Sequence, residues 1–244
     1  MLDFSRFQVL TFDCYGTLID WESGIRQAFK PLLASHGKTL SDDQILELYA
    51  ELESETEAGP FKPYRQVLEE VVSGLGKRLT FTPTVAEIQS LPLSLHGWQP
   101  FPDTVAALRR LKSKYKLAVI SNVDDDLFAA TARLLRVPFS DVITAQQVGS
   151  YKPSPNNFEV AIARLGVPRE QVLHVAQSLF HDIAPAKALG LATVWVNRRA
   201  GKQGAGATRP ASVKPDLEVP DLATLAAMAV PEQSTVSRPQ PTTS

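Results

Sequence analysis

Apolar and polar positions follow two different periods along this chain. A short, mostly apolar run at 7–12 has the character of a strand buried on both faces. Runs of the same kind recur at 116–120, 142–144, 172–175 and 192–196. Between the later runs, apolar residues follow helical spacing, as Val105, Leu108 and Leu111 do. Because strands that alternate with helices form parallel sheets with right-handed crossovers, the pattern predicts an α/β fold.

The segment from Trp21 to about Leu93 interrupts this alternation with helical patterns and no convincing strand. Helices are predicted at 25–35, from Ser41 onward and at 64–75, and Ser41-Asp-Asp-Gln44 has the form of a capping box. A small helical insertion after the first strand is therefore expected. The predicted organisation is a core of residues 1–19 and 96–230, a helical cap of 20–95, and a polar, Pro-rich and disordered tail of 231–244.

Four glutamates alternate with other residues in the second of these helices. Glu51, Glu53, Glu55 and Glu57 are predicted to form a solvated helix face, and the alternative is that they rim a pocket.

Composition narrows the classes of function. The 244 residues are 44% hydrophobic, enough for a sizeable core, and the formal net charge of −1 gives no electrostatic reason to bind nucleic acid or an anionic membrane. Cys14 is the one cysteine, which fits a reducing compartment. The N-terminal residues lack the pattern of a signal peptide, and no apolar stretch is long enough to span a bilayer. We expect a cytoplasmic protein.

Polar residues recur where the predicted strands end. Asp13 follows the first strand, Ser121-Asn122 the second, Lys152 comes soon after the third, and residues 177–182 follow the fourth. Each has a structural explanation when taken alone, such as a helix cap or a surface charge. The carboxyl ends of parallel strands, however, face one crevice. Their coincidence at four strand ends favours a shared site.

The motifs at these positions resemble those of the haloacid dehalogenase-like superfamily. They are Asp13-Cys14-Tyr15-Gly16-Thr17-Leu18, Ser121-Asn122, Lys152-Pro153 and Asp182. Over roughly residues 7–200 the chain is most similar to the type II 2-haloacid dehalogenase branch. The resemblance implies a Rossmann-like parallel sheet with a helical cap inserted after the first strand, where the segment from Trp21 to Leu93 lies.

Two positions separate dehalogenases from phosphatases of this superfamily. The phosphatases carry a second Asp two residues after the nucleophile and an acid that helps to hold Mg²⁺, where this chain has Tyr15 and Gln177. Since Mg²⁺ prefers anionic oxygen ligands, no metal or other cofactor is expected. The preferred hypothesis is a dehalogenase that acts on a small 2-haloacid. A phosphatase or other hydrolase, and a non-catalytic small-molecule-binding protein, stay open as alternatives.

The resemblance also implies how a haloacid would be bound and attacked. The Asp13 carboxylate would displace the halide and form an ester, with Thr17 orienting Asp13 and Lys152 keeping it ionised. Asp182, with Lys152 and Ser178, would position or deprotonate the hydrolytic water. The backbone N–H groups of Cys14 and Tyr15 and the Ser121 hydroxyl would hold the substrate carboxylate. Asn122 would donate a hydrogen bond to the halide or to Asp13.

This chain departs from the family pattern in the halide pocket and the water site. No arginine occurs near 46–51, where the family has a cap arginine that helps to withdraw the halide. Arg65 or Lys62 is the candidate replacement, with a surface role as the alternative. Gln177, Ser178 and His181 are further candidates for the halide or water site. A homodimer is expected from the resemblance alone.

Overall fold

The computed structural model describes residues 2–202 and 206–231, so the predicted disordered tail lies outside the described residues except for Pro231. The described residues form a six-stranded sheet in the order β3-β2-β1-β4-β5-β6, and every neighbouring pair is parallel. The strands are β1 (Val9–Phe12), β2 (Lys116–Ser121), β3 (Asp141–Thr144), β4 (Val172–Ala176), β5 (Ala192–Val196) and β6 (Leu217–Val219). The predicted α/β class is confirmed.

The register of the sheet brings the ends of three strands to the same level. Val9 lies opposite Lys116 on one side and Val172 on the other, and Phe12 lies opposite Val119 and Val175. All four residues of β1 are buried, as expected for a central strand covered on both faces. The segments that follow β1, β2 and β4 therefore leave the sheet side by side.

Helices cover the sheet and fill the segment between β1 and β2. The described helices are α1 (Trp21–Ser35), α2 (Asp42–Glu57), α3 (Tyr64–Leu79), α4 (Val85–Ser94), α5 (Thr104–Lys112), α6 (Asp125–Leu135), α7 (Ala145–Val148), α8 (Pro155–Leu165), α9 (Ala184–Ala188) and α10 (Leu222–Ala229). We call α1–α4 the inserted helices. The capping box predicted at Ser41 is present, because Ser41 and Gln44 each accept a hydrogen bond from the backbone of the other.

Two features of the fold were not expected from the sequence. The short strand β6 pairs with β5 at one edge of the sheet, and α10 follows it directly. A π-helical turn at Leu179–Ile183 directly precedes α9. Three residues of mixed polarity are too short a strand to show a period, which explains why β6 has no clear sequence signal.

One apolar cluster joins the sheet to the inserted helices. It runs from Phe12 in β1 through Ile25 in α1 to Val71 in α3. Gly24 permits this packing, since a Cβ atom there would lie 2.5 Å from the ring of Trp98. No helix within residues 2–202 and 206–231 is long and apolar enough to cross a membrane.

Candidate active site

The loop after β1 positions Asp13. The backbone N–H groups of Thr17, Leu18 and Ile19 all donate to the Cys14 carbonyl oxygen, which closes a tight turn. Gly16 makes the turn possible with φ of +93°, and a Cβ atom there would lie 2.8 Å from Trp21 Nε1. The turn brings the Thr17 hydroxyl back to Asp13, and Thr17 Oγ1 donates to Asp13 Oδ2 at 2.6 Å. This hydrogen bond has the geometry that the predicted orienting role of Thr17 requires.

Lys152 joins the two predicted acids. Its side chain is 1% exposed, and its Nζ donates to Asp13 Oδ1 at 2.9 Å and to Asp182 Oδ1 at 2.7 Å. A third bond, to the Ile120 carbonyl oxygen at 2.9 Å, completes the donor capacity of the ammonium group. Asn122 clamps the Lys152 backbone, accepting from its N–H at 2.7 Å and donating to its carbonyl oxygen at 3.0 Å.

His174 belongs to the site and was missed by the sequence analysis. Its Nε2 lies 3.0 Å from Asp182 Oδ1, and its Nδ1 lies 2.9 Å from Thr11 Oγ1, so the ring bridges two strands beneath the site. Both residues are buried within the sheet. The available signal was a polar side chain in each of two otherwise apolar strands, because a buried polar group needs a partner.

Burial and charge set the pKa values of these groups. Burial raises the pKa of the Asp13 carboxyl against the opposing effect of Lys152. The pKa of the Asp182 carboxyl is lowered because the Lys152 charge and the His174 hydrogen bond outweigh its burial. Burial disfavours the charged form of Lys152, but the two carboxylates hold the pKa of the ammonium above its ordinary value. The Lys152 ammonium therefore stays protonated and supplies the buried positive charge between the two carboxylates.

Three hydrogen-bond donors near Asp13 have no acceptor among the described residues. Neither the Cys14 N–H nor the Tyr15 N–H donates to a described residue. The hydroxyl of Ser121, which is 1% exposed, has no hydrogen-bond partner there either. A buried polar group without a partner costs free energy. These are the donors predicted to hold a substrate carboxylate, and Ser121 lines the same cavity as Asp13.

Tyr15 directs its phenol away from the nucleophile. Its hydroxyl lies 2.8 Å from Thr131 Oγ1 of α6, and its ring packs edge-on against Trp98. Burial raises the pKa of the Tyr15 phenol well above its usual value. The position that carries the general acid in the phosphatases therefore holds a neutral phenol that is bonded elsewhere.

The segment after β4 contributes backbone positioning as well as side chains. The Gln177 N–H donates to Thr17 Oγ1 at 2.9 Å, so Gln177 holds the hydroxyl that in turn holds Asp13. Ser178 Oγ accepts from the His181 N–H at 2.8 Å. Burial lowers the pKa of the His181 imidazole to about 4, so this ring is neutral at pH 7. All three residues line the cavity that contains Asp13, and their halide or water roles stay predictions.

Arg65 does not face the cavity. Its guanidinium donates to Asp126 Oδ2 at 2.7 Å on the surface, and Lys62 pairs with Glu70 at 2.7 Å. Neither side chain is among the residues that line the cavity above Asp13. The predicted halide role of Arg65 is therefore corrected to a surface ion pair, which was the stated alternative.

The inserted helices present acids to the cavity instead. Glu53, Glu57, Tyr64 and Trp21 line it together with Asp13. Glu51 and Glu55 face outward and pair with Arg78. The expectation that all four glutamates form a solvated face is correct for two of them and wrong for Glu53 and Glu57. Their i,i+4 spacing was the signal that they share a helix face.

The donor set does not fit a divalent metal. Among the described residues, no group of three or more His, Cys, Asp or Glu side chains is placed to hold a metal ion. The Lys152 ammonium lies within 2.9 Å of an oxygen of each of the two acids, Asp13 and Asp182, that would be the ligands. Gln177 supplies an amide where the phosphatases have an acid. We therefore derive no step through a metal.

A Rossmann-like sheet with this Asp-Lys-Asp site defines a class of hydrolase. Residues 7–190 match the model of the haloacid dehalogenase-like hydrolase family, and the chain belongs to that family. The (S)-2-haloacid dehalogenase H-109 of Pseudomonas putida is 29% identical over 78% of this chain and 85% of its own. The crystal structure of the L-2-haloacid dehalogenase PA0810 is 27% identical, with a TM-score of 0.76 over 91% of this chain and 98% of its own.

A phosphatase is also among the relatives. The glyceraldehyde 3-phosphate phosphatase of Methanothermobacter thermautotrophicus is 30% identical over 76% of this chain and 84% of its own. Similarity at this level confirms the family and the predicted resemblance to haloacid dehalogenases. The choice between the two chemistries depends on the site itself.

Proposed function

We propose that this protein is a hydrolytic dehalogenase that converts a 2-haloacid to a 2-hydroxy acid and halide through an ester on Asp13. The observation that carries the proposal is the buried Asp13–Lys152–Asp182 cluster, in which one ammonium donates to both carboxylates and the amide of Gln177 stands where the phosphatases have an acid. The unpartnered donors at Cys14, Tyr15 and Ser121 suit a substrate carboxylate.

The proposed reaction has two steps. An Asp13 carboxylate oxygen attacks C2 of the substrate, the C–halogen bond breaks, and the halide leaves with the bonding electrons. Water then attacks Cγ of the resulting ester and loses one proton toward Asp182. The ester C–O bond breaks, the departing oxygen takes up the other proton of that water, and the 2-hydroxy acid leaves with Asp13 restored as a carboxylate. The net reaction consumes one water and releases one halide and one proton. Thr17 and Lys152 hold both carboxylate oxygens of Asp13 in place throughout.

Halide release from a panel of 2-haloacids and haloacetates tests this function. We expect halide release that is unchanged by EDTA, because no metal takes part in the proposed steps. Asp13→Asn should lower the rate by about 10³-fold or more, since an amide is a poor nucleophile. Failure of the wild-type protein to release halide from every member of the panel contradicts the proposal.

Isotope labelling tests the covalent step. During a single turnover in ¹⁸O-water, the label should enter Asp13, because water attacks the carbonyl carbon of the ester rather than C2. Mass spectrometry of the peptide that contains Asp13 measures this incorporation, and a peptide without Asp13 serves as the control. Label found only in the product would mean that water attacks the substrate directly.

Phosphate-ester hydrolysis is the second candidate, and the phosphatase relative favours it. The same assays separate the two reactions. Phosphate release that requires Mg²⁺ and stops with EDTA would support the phosphatase. The amide of Gln177 and the bonded phenol of Tyr15 argue against that outcome.

A further inference from the structure

The inserted helices present two acidic side chains to the cavity. Glu53 and Glu57 lie one helical turn apart on α2 and both line the cavity that contains Asp13. The two outward glutamates of the same helix pair with Arg78 at 2.9 and 3.3 Å. The inward pair therefore differs from the outward pair in having no such partner in the described part of the chain.

Glu53 is fixed in position with one oxygen occupied. Its Oε1 accepts from the Tyr49 hydroxyl at 2.7 Å and from the Tyr64 hydroxyl at 2.5 Å, and the carboxylate is buried. Its Oε2 receives no hydrogen bond from a described residue. Glu57 has neither a hydrogen bond nor an ion pair with a described residue. Glu53 is thus held by two tyrosine hydroxyls, whereas Glu57 has no hydrogen-bond or ion-pair partner among the described residues.

Among the described residues, no cation is paired with these acids, and Arg209, which lines the adjoining cavity together with Glu57, makes no ion pair with it. Lys152 commits its three donors to Asp13, Asp182 and a carbonyl oxygen, and His181 is neutral at pH 7. Burial raises the pKa of both the Glu53 and the Glu57 carboxyl, as expected for acids that lack a cation in contact. A ligand that supplies positive charge would satisfy both.

Two further features of the cavity point to a bound organic ligand. The buried hydroxyl of Ser121 has no described partner and lines the same space, on the side of Asp13. Trp21 and Tyr64 line it as well, and the Tyr64 hydroxyl donates to Glu53. Aromatic faces beside carboxylates attract organic cations, because the ring quadrupole adds to the attraction of the acids.

We propose that Glu53 and Glu57 bind a primary ammonium group of the substrate. This inference rests on the proposed function for the reacting end of the molecule and adds the charge of the other end. The favoured substrate is then an amino-substituted 2-haloacid, with its carboxylate at Ser121 and the loop amides and its ammonium at the two glutamates. Both acids lie on α2, the helix that includes the 46–51 stretch where a cap arginine was sought.

Binding of simple probes tests the site independently of turnover. Titration calorimetry would compare propylammonium, 1-propanol and propionate on the wild-type protein, on Glu57→Gln and on Glu47→Gln, a control at an exposed position of the same helix. We expect propylammonium to bind at least about ten-fold more tightly than 1-propanol, and Glu57→Gln to remove that preference. Glu47→Gln should behave as the wild type does.

A charge-reversed variant distinguishes the loss of an ammonium site from a general loss of binding. Glu57→Lys should reverse the preference, so that propionate binds more tightly than propylammonium. Equal binding of propylammonium and 1-propanol by the wild type would overturn the proposal, as would an unchanged preference in Glu57→Gln. Circular dichroism of each variant shows whether it is folded.

Kinetics separate this inference from the proposed function. The matched substrates are 3-amino-2-chloropropionate and 2-chlorobutanoate, which differ by an ammonium in place of a methyl group. We expect kcat/KM to favour the amino compound by about ten-fold or more in the wild type and to favour neither in Glu57→Gln. Preference for 2-chlorobutanoate would overturn the ammonium site and leave the Asp13 chemistry standing. Chloride release from neither, with propylammonium still bound, would overturn the chemistry alone.

Discussion

At the scale of single residues, the site depends on Lys152. The sequence predicted that this lysine keeps Asp13 ionised, and the structure places its ammonium between Asp13 and Asp182 with nearly complete burial. Asn122 holds the lysine through its backbone, which leaves the side chain free to point inward. Two buried carboxylates this close to one cation depend on it for charge balance.

Replacing Lys152 should therefore destabilise the fold as well as stop the reaction. Lys152→Met leaves two acids buried without a cation and should lower the free energy of unfolding by about 3–5 kcal/mol. Denaturant titration measures the change. The control Lys187→Met removes a half-buried surface pair with Asp216 and should cost less than about 1 kcal/mol. Equal losses of unfolding free energy in the two variants would contradict the dependence of the buried acids on Lys152.

At the scale of elements, Asp124 connects the core to the inserted helices. It follows β2 and is buried, and its carboxylate accepts from the backbone N–H groups of Tyr64 and Arg65, both at 2.9 Å. These are the first residues of α3, whose own N-cap residue, Pro63, makes no side-chain hydrogen bond. A residue of the core thus caps a helix of the insertion, and the carboxylate favours the positive end of the helix dipole.

Removing this cap should loosen the wall of the cavity. Asp124→Ala should cost about 1–2 kcal/mol of stability and increase hydrogen exchange in the first turn of α3. Exchange measured by mass spectrometry localises the effect. Asp126→Ala is the control, because it removes the exposed pair with Arg65 and a hydrogen bond from the adjacent Leu127 N–H but no bond to the backbone of α3, and it should cost less than about 1 kcal/mol. Unchanged exchange at the start of α3 in Asp124→Ala would contradict the capping role.

At the scale of the whole molecule, Arg198 connects distant parts of the chain to the loop after β1 that positions Asp13. It follows β5, and its Nε and Nη2 both donate to the Thr17 carbonyl oxygen, at 3.3 and 3.0 Å. Its Nη1 donates to Asp103 Oδ1 at 2.8 Å, and its guanidinium lies 4.1 Å from the ring centroid of Phe101. The end of the sheet, the start of α5 and the loop that positions Asp13 are thereby held together.

Lysine cannot reproduce this arrangement, since one ammonium lacks the planar fork of a guanidinium. Arg198→Lys should lower the free energy of unfolding by about 1–2 kcal/mol and reduce kcat more than it raises KM, because Asp13 loses its support. Arg109→Lys, at an exposed position of α5, is the matched control and should change neither. A stability loss with unchanged kcat would mean that Arg198 supports the fold without positioning Asp13.

Much of the site was predictable because parallel strands place their carboxyl ends together. The apolar runs located β1, β2 and β4, and the polar residues after them included Asp13, Ser121 and Asp182. Lys152 was found by its motif. The contact of His174 with Asp182 was not predicted, because it depends on how side chains pack within the folded sheet.

The sequence by itself determined the α/β class, the place of the helical insertion and the place of Asp13 at the end of β1, because periodicity and strand-end motifs are local properties. Only the tertiary structure decided which glutamates of α2 face the cavity. Residues two apart on a helix point in nearly opposite directions, so an alternating acidic run always divides between two faces. Which face is buried depends on how α2 packs against α1 and α3, and that packing directs Glu53 and Glu57 toward Asp13.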